Sequence, residues 1–394
     1  MTPKYKVPGV YREDVFLNAQ PRLPTGVPGF VGFADADADA FNKPIAFNRK
    51  GEFDARFKGL QGSYLADAVT GFFQNGGVTC FVVLADLGDD RQAAMKNDAT
   101  TSFKREGALK KALESLAPVT DLDLVAMPDA MTLKTSDTVW DVAGIIRLQK
   151  EVLQHCEKHR GRLAILDAVP GAGVDTVKDQ RIQIAANLKE PLNGALYFPW
   201  LKVDGLRLVP PSGHVAGIFA RSDARVGVFK APANEEISGA LDLEIVVDNA
   251  IQDQLNPEGI NCLRAFPGRG IRVWGARTIS REPDWQYVNV RRLFLTLERW
   301  IDLNMNWASF EPNTARLWVR IKRELSAYLE VLWRAGGLAG GTADQAYFVK
   351  CDAETNPPEV RDTGEVVTEV GLAPSRPAEF VVVRITHHIG VDPR

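Results

Sequence analysis

The spacing of apolar residues changes character along the chain. Residues 29–34 (GFVGFA) and 80–85 (CFVVLA) are short apolar runs, and the second is unbroken, as a strand buried on both faces requires. A helical stretch begins at 52–57. Residues 64–74 carry Leu65, Ala68, Val69, Phe72 and Phe73 at helical spacing, and Asn75-Gly76-Gly77 closes that pattern with the glycine a helix C-terminus favours. The middle third alternates. It predicts strands at 122–127, 163–167 and 194–200 and helices at 142–159 and 176–188, a βαβαβ rhythm that implies an α/β region with a mostly parallel sheet. The last third predicts a strand at 270–279 and a long helix at 285–304. A second helix opens at Glu311-Pro312 and carries Leu317, Ile321, Leu325, Tyr328 and Leu332 on one face. Strand candidates follow at 346–350, 365–370 and 379–386. Residues 86–102 are polar and weakly patterned.

Both ends of the chain are β-patterned and sit beyond Pro-rich connectors at 18–29 and 371–378. In KYKVPGVYREDV, Pro8 holds the backbone extended, and Val7, Tyr11 and Val15 are apolar positions in a polar stretch. An isolated strand is not stable in water, so each end must join a sheet. That sheet is either the chain's own or a neighbour's, and strand addition to a second subunit is a known mode of association.

Composition narrows the class. Of 394 residues, 45% are hydrophobic and 25% charged, as in ordinary globular proteins, and the net charge of −3 provides no global basic field for nucleic acid. No apolar run approaches the roughly 20 residues that span a bilayer. The first residues lack a signal-peptide core, which predicts synthesis in the cytoplasm. Cys80, Cys156, Cys262 and Cys351 form no CxxC pair and read as reduced core thiols.

Catalytic and metal chemistry finds little support. His155 and His159 lie one helical turn apart in HCEKH, but Cys156 occupies the place where a zincin needs glutamate. Asp35, Asp37 and Asp39 resemble half a calcium loop, yet Ala40 and Ala46 stand where its glycine and bidentate glutamate belong. The glycines of PGRGIRVWG do not have dinucleotide-binding spacing, and no GxxxxGK[ST] occurs. Ser212 and His214, in PPSGHVAGIFAR, are the one pair that a hydrolase could use. No nucleophile elbow surrounds them, and Ser212 reads better as a helix cap. No catalytic, metal or cofactor residues are therefore assigned.

Five strings, taken together and in order, resemble the contractile tail sheath family of phages and phage-tail-like injection systems: PGVYRED, GFFQNGGVTCFVV, PPSGHVAGIFARSDARVGVFKAPAN, LNPEGINCLRAFPGRGIRVWGARTI and YVNVRRLFLTLERWI. The resemblance implies a mixed α+β and α/β fold. A core sheath domain would be built from both N- and C-terminal parts (26–85 and 256–370) around a middle α/β domain (86–255). Extended β-arms would lie at both termini (1–25 and 371–394 with their linkers). It further implies a structural subunit, not an enzyme. Copies would assemble in the bacterial cytoplasm as stacked hexameric rings around an inner tube protein, bounded by baseplate and terminal cap proteins, and contract from a metastable extended state. Neither nucleic acid nor a small-molecule substrate is implied. Arm strands would carry Val7, Val10, Tyr11 and Val15 at one end and Phe380, Val381, Val382, Val383 and Ile385 at the other, joining neighbouring subunits. Arg316, Arg320 and Arg323 on the helix after Pro312 are candidates for contact with the inner tube. The short middle region tilts the reading toward an injection system, with a phage tail as the alternative.

Overall fold

The computed structural model describes residues 23–190 and 192–379. The apolar runs form strands, and most of these lie side by side in one sheet. Its strands are β1 (Pro28–Gly32), β2 (Ile45–Phe47), β3 (Cys80–Leu84), β4 (Leu124–Ala126), β5 (Leu163–Asp167), β6 (Gly194–Phe198), β7 (Glu235–Glu236), β8 (Ile260–Phe266) and β9 (Gly270–Trp274). Their order across the sheet is β7-β9-β8-β6-β5-β4-β1-β3-β2. The six central strands are parallel, with Pro28 opposite Leu124, Gly29 opposite Phe81, Gly194 opposite Ala164 and Leu196 opposite Ile260. The edges are antiparallel. The sheet takes strands from each of the spans 26–85, 86–255 and 256–370.

Parallel strands need helical crossovers, and these cover both faces. One face carries α2 (Ala99–Glu114), α3 (Val142–Lys158) and α4 (Val174–Ala185), packed on Val31, Val83, Val125, Ala164, Leu166 and Leu196. Alternate residues of the same strands, among them Phe30, Val82, Leu124, Ile165 and Tyr197, point the other way. They meet α1 (Leu65–Gln74), α5 (Ser212–Arg225) and the first half of α6 (Val288–Asn304). Helices α1 and α5 cross closely. A Cβ at Gly213 would lie 2.3 Å from Ala68 Cα, and one at Gly217 would lie 2.4 Å from the Phe72 carbonyl oxygen. Glycine at these places sets the crossing distance.

The second half of α6 leaves the sheet. Leu297 and Trp300 join Leu317, Ile321, Leu325 and Leu329 of α7 (Ala315–Arg334) in a separate apolar cluster, where Trp300 stacks on Tyr328 at 4.2 Å. The same cluster holds Val349 and Cys351, next to a two-stranded antiparallel ribbon of β10 (Tyr347–Lys350) and β11 (Glu369–Leu372).

Several local expectations move. The polar stretch at 86–102 contains the start of α2, capped by the Asp98 carboxylate on Thr101 N–H at 2.9 Å. The helix expected to open at Pro312 begins at Ala315 after Thr314, and the strand expected at 365–370 is Glu369–Leu372. Ser212 does not cap α5 through its side chain. Its backbone N–H donates to Asp167 Oδ1 at 2.8 Å, so the carboxylate from β5 serves the helix start. All four cysteines are free and buried.

Candidate assembly surfaces

The strand order β3-β1-β4-β5-β6-β8 reverses direction between β1 and β4. In doubly wound sheets a ligand crevice lies beyond the carboxyl ends of the strands at that point. Here the place is filled from within. Asp129, fully buried just after β4, accepts hydrogen bonds from Phe33 N–H (2.6 Å), Ser63 Oγ (2.7 Å) and Tyr64 N–H. Burial pushes its carboxyl up to about 6, against those three donors. A buried carboxylate whose oxygens already accept from its own chain does not itself offer a binding group to a phosphate or a substrate there.

The catalytic alternative fails on access. Ser212 and His214 both lie in the α1–α5 interface, 0% and 2% exposed. The His214 ring packs on Gly71, and burial pushes its pKa down to about 4. Neither side chain reaches solvent, so the pair cannot work as nucleophile and base on an external substrate. His155 and His159 face each other with ring centroids 4.6 Å apart, but His155 Nε2 is held by Arg162 Nη1 at 2.7 Å. Asp35 pairs with Arg91 at 2.7 Å. Among the described residues no group of three or more His, Cys, Asp or Glu is placed to hold a metal. No helix among them is long and apolar enough to cross a membrane.

What the structure does organise is the pair of segments next to the two chain ends, at residues 24–27 and 375–379. Arg292, 2% exposed on α6, binds Asp223 of α5 through Nη1 and Nη2 (2.8 and 2.6 Å) and Asp123 through Nη2 (2.8 Å). Asp123 in turn accepts from the N–H groups of Gly26 (3.0 Å) and Val27 (2.7 Å). Burial opposes the Arg292 charge, and the two carboxylates outweigh it, holding its pKa above the usual arginine range. About two turns further along α6, Arg299 Nη1 donates to the Pro24 carbonyl at 3.1 Å. The root of the N-terminal segment is thus tied to α6 directly at Pro24 and, through Asp123, at Gly26 and Val27.

The C-terminal root ends on the same helix. Asn289 Nδ2, near the start of α6, donates to the Ser375 carbonyl at 3.0 Å, while Ser375 N–H reaches Gly337 O at 3.1 Å. Beyond it, Arg376 pairs with Asp284 at 3.1 Å. Glu379 receives Arg277 Nε at 2.8 Å, with Arg277 Nη2 on its second oxygen and Tyr287 Oη at 3.3 Å. Burial raises the Glu379 pKa, but Arg277 more than reverses this and lowers it overall. Arg277 belongs to the WGART string, whose part in anchoring the tail was not legible in sequence, because its partner lies 102 residues away.

The arm residues Val7, Val10, Tyr11, Val15, Phe380, Val381, Val382, Val383 and Ile385 lie outside the described residues. Arg316, Arg320 and Arg323 all sit on exposed positions of α7. They are not equivalent. Arg320 stacks over the Trp307 ring at 3.5 Å and bonds Glu324 at 3.3 Å, so it is spent within its own subunit. The ribbon β10–β11 presents Phe348 to solvent at 56% exposure, and a two-stranded ribbon leaves an edge on either side.

Known proteins share this sequence pattern and fold. The family model for the phage tail sheath protein central domain matches residues 121–279, and that for the phage tail sheath C-terminal domain matches residues 280–387. Together they take in more than half of the chain. The tail sheath protein of Enterobacteria phage T4 is 29% identical over 181 residues, 45% of this chain and 27% of its own length. That of Vibrio phage KVP40 is 29% identical over 184 residues, 46% of this chain and 26% of its own. The chain therefore spans about a quarter of the length of these curated relatives. Solved structures match end to end. The anti-feeding prophage helical sheath in its contracted state is 29% identical with a TM-score of 0.74, covering 98% of this chain and 100% of that one. The PVC sheath of an extracellular contractile injection system, also contracted, is 29% identical with a TM-score of 0.73, covering 98% and 99%. This chain belongs to the contractile tail sheath family.

Proposed function

We propose that the chain is the repeating subunit of a contractile injection system sheath, stacked as hexameric rings around an inner tube. A baseplate and a cap would bound the stack, which contracts to drive the tube through a target envelope. The observation that carries this reading is the end-to-end correspondence with injection-system sheaths, where the phage relatives are matched over about a quarter of their length. The subunit is read as structural, and the filled crevice beside Asp129 supports that. Energy for contraction would lie in inter-subunit contacts, because a two-state assembly needs only a difference in contact free energy between states.

Two surfaces are assigned roles. The ribbon β10–β11 accepts arm strands from neighbouring copies, the segments around Val7–Val15 and Phe380–Ile385 adding at its edges. A two-stranded ribbon is marginal alone and gains from each added strand. On α7, Arg316 and Arg323 face an acidic inner tube, whereas Arg320 serves Trp307 and Glu324. Electron microscopy of the purified subunit, alone and with its tube protein, tests both. Hollow cylinders are expected from the subunit, and tube-filled ones from the mixture. The double variant R316E/R323E should still make empty cylinders and fail to enclose tubes. Monomers persisting at high concentration would remove the sheath reading, and particles carrying capsids would move it to a phage tail.

A further inference from the structure

The HCEKHRGR string is absorbed by none of these roles, yet the fold builds something from it. At the C-terminal end of α3 the chain turns at Gly161 (φ +78°), and Arg162 enters the interior. Arg162 Nη2 is held by the carbonyls of Ala117 (3.2 Å) and Val119 (2.6 Å), and Nη1 faces His155. From the other side Arg299 of α6 packs its stem against Gly161, where a Cβ would lie 2.1 Å from Arg299 Cγ. Its Nη2 points to Thr120 O at 3.4 Å. The result is an open cleft of about 330 Å³ lined by Lys158, His159, Arg160, Arg162 and Arg299, with Asp302 its single carboxylate. Glu114, 3.9 Å from Lys158 and exposed, Glu298, near Arg160, and Asp123 and Asp121, near Arg299, are other acids close by.

Five cationic or titratable nitrogen groups on one cleft repel each other. Burial first, and then Arg162 and Lys158, lower the pKa of His159, and burial and Arg299 lower that of Arg162. The buried arginines are fixed by backbone carbonyls, so the charge cannot disperse by side-chain rotation. We propose that this cleft is a binding site for a small multivalent oxyanion of the phosphate type. The N–H groups of the two inner guanidiniums that the carbonyls and His155 leave free, Arg299 Nε among them, would supply the inner donors, and Lys158 and Arg160 would close over it from the rim. Because Arg299 also holds Pro24, the same anion would stiffen the root of the N-terminal segment.

The test is thermal unfolding of the full chain titrated with inorganic phosphate against sodium chloride at matched ionic strength, with acetate as a third arm. A saturable rise in Tm with phosphate, absent with chloride, is expected. Acetate as effective as phosphate would reassign the site to carboxylates. In parallel, the His159 imidazole followed by NMR should titrate at higher pH with phosphate present, since the anion relieves the repulsion. The variant K158Q/R160Q changes only exposed rim residues and should fold as the parent while losing most of both responses. R299M removes an inner donor and should abolish them. Equal Tm values in phosphate and chloride, or an undiminished response in K158Q/R160Q, would overturn the proposal.

Discussion

Asp167 shows how far a single buried group can govern the chain's response to pH. Burial at the end of β5 pushes its carboxyl up to about 7, only partly offset by the Ser212 N–H it accepts. A carboxyl raised in the folded state binds its proton more readily there than in the unfolded chain. Its protonation therefore favours the fold below about pH 7, and that contribution is lost as pH rises through 7. His214 acts in the opposite sense: held down to about 4, it costs stability as pH falls from its unfolded value toward 4. The wild-type profile mixes the two, so the informative quantity is a difference. D167N keeps an oxygen to accept from Ser212 and removes the ionisation. Its Tm relative to the parent should climb as pH goes from 5 to 8, and a constant difference would show that Asp167 does not titrate in that window.

Among the elements, α1 and α5 illustrate both what sequence reveals and what it withholds. Their apolar stripes are plain in the string, but the distance between them is set by Gly213 and Gly217, which look like flexibility until the partner helix is in view. G213A adds one methyl where the Ala68 backbone already stands. Overpacking of this kind costs about 1–3 kcal/mol, to be read as a lower urea midpoint with unchanged slope. An unchanged midpoint would mean that the helices can separate freely. Helix α2 was missed for a related reason. Its buried positions Ser102, Arg105, Leu109, Ala112 and Leu113 follow helical spacing, but the first two are polar letters and a pattern of apolar residues cannot register them. The strands β3 and β5, by contrast, were legible because burial on both faces leaves an apolar run that no other environment favours. The Arg292 network was invisible because Arg292 and Asp123 are 169 residues apart. Sequence offers no local sign that two charges will be buried together.

For the whole molecule, the strand–linker–body–linker–strand plan read from the string puts the proposed assembly function at the ends, and the structure shows how the body holds the adjoining residues 24–27 and 375–379. Removing residues 380–394 should leave a subunit whose circular dichroism and Tm match the full chain, because the tether up to Glu379 keeps its contacts with Arg277 and Asn289. Micrographs of this truncated chain should show no cylinders. Cylinders of normal length would remove the C-terminal arm from the mechanism without touching the family assignment.

Helix α6 is about 25 Å long at 17 residues, and the segments next to both chain ends are tied to it at Pro24 and Ser375. In mechanical terms it is a yoke. Under the arm exchange proposed above, tension arriving from a neighbour through either end would enter the same rod and be shared with the sheet through Arg292 and with α7 through the Trp300–Tyr328 stack. A pull on one end would then be felt at the root of the other through the rod they share. A cylinder made of such parts would be stiff within each link and compliant only at the couplings, so that displacement at one ring is handed to the next with little loss inside the subunit.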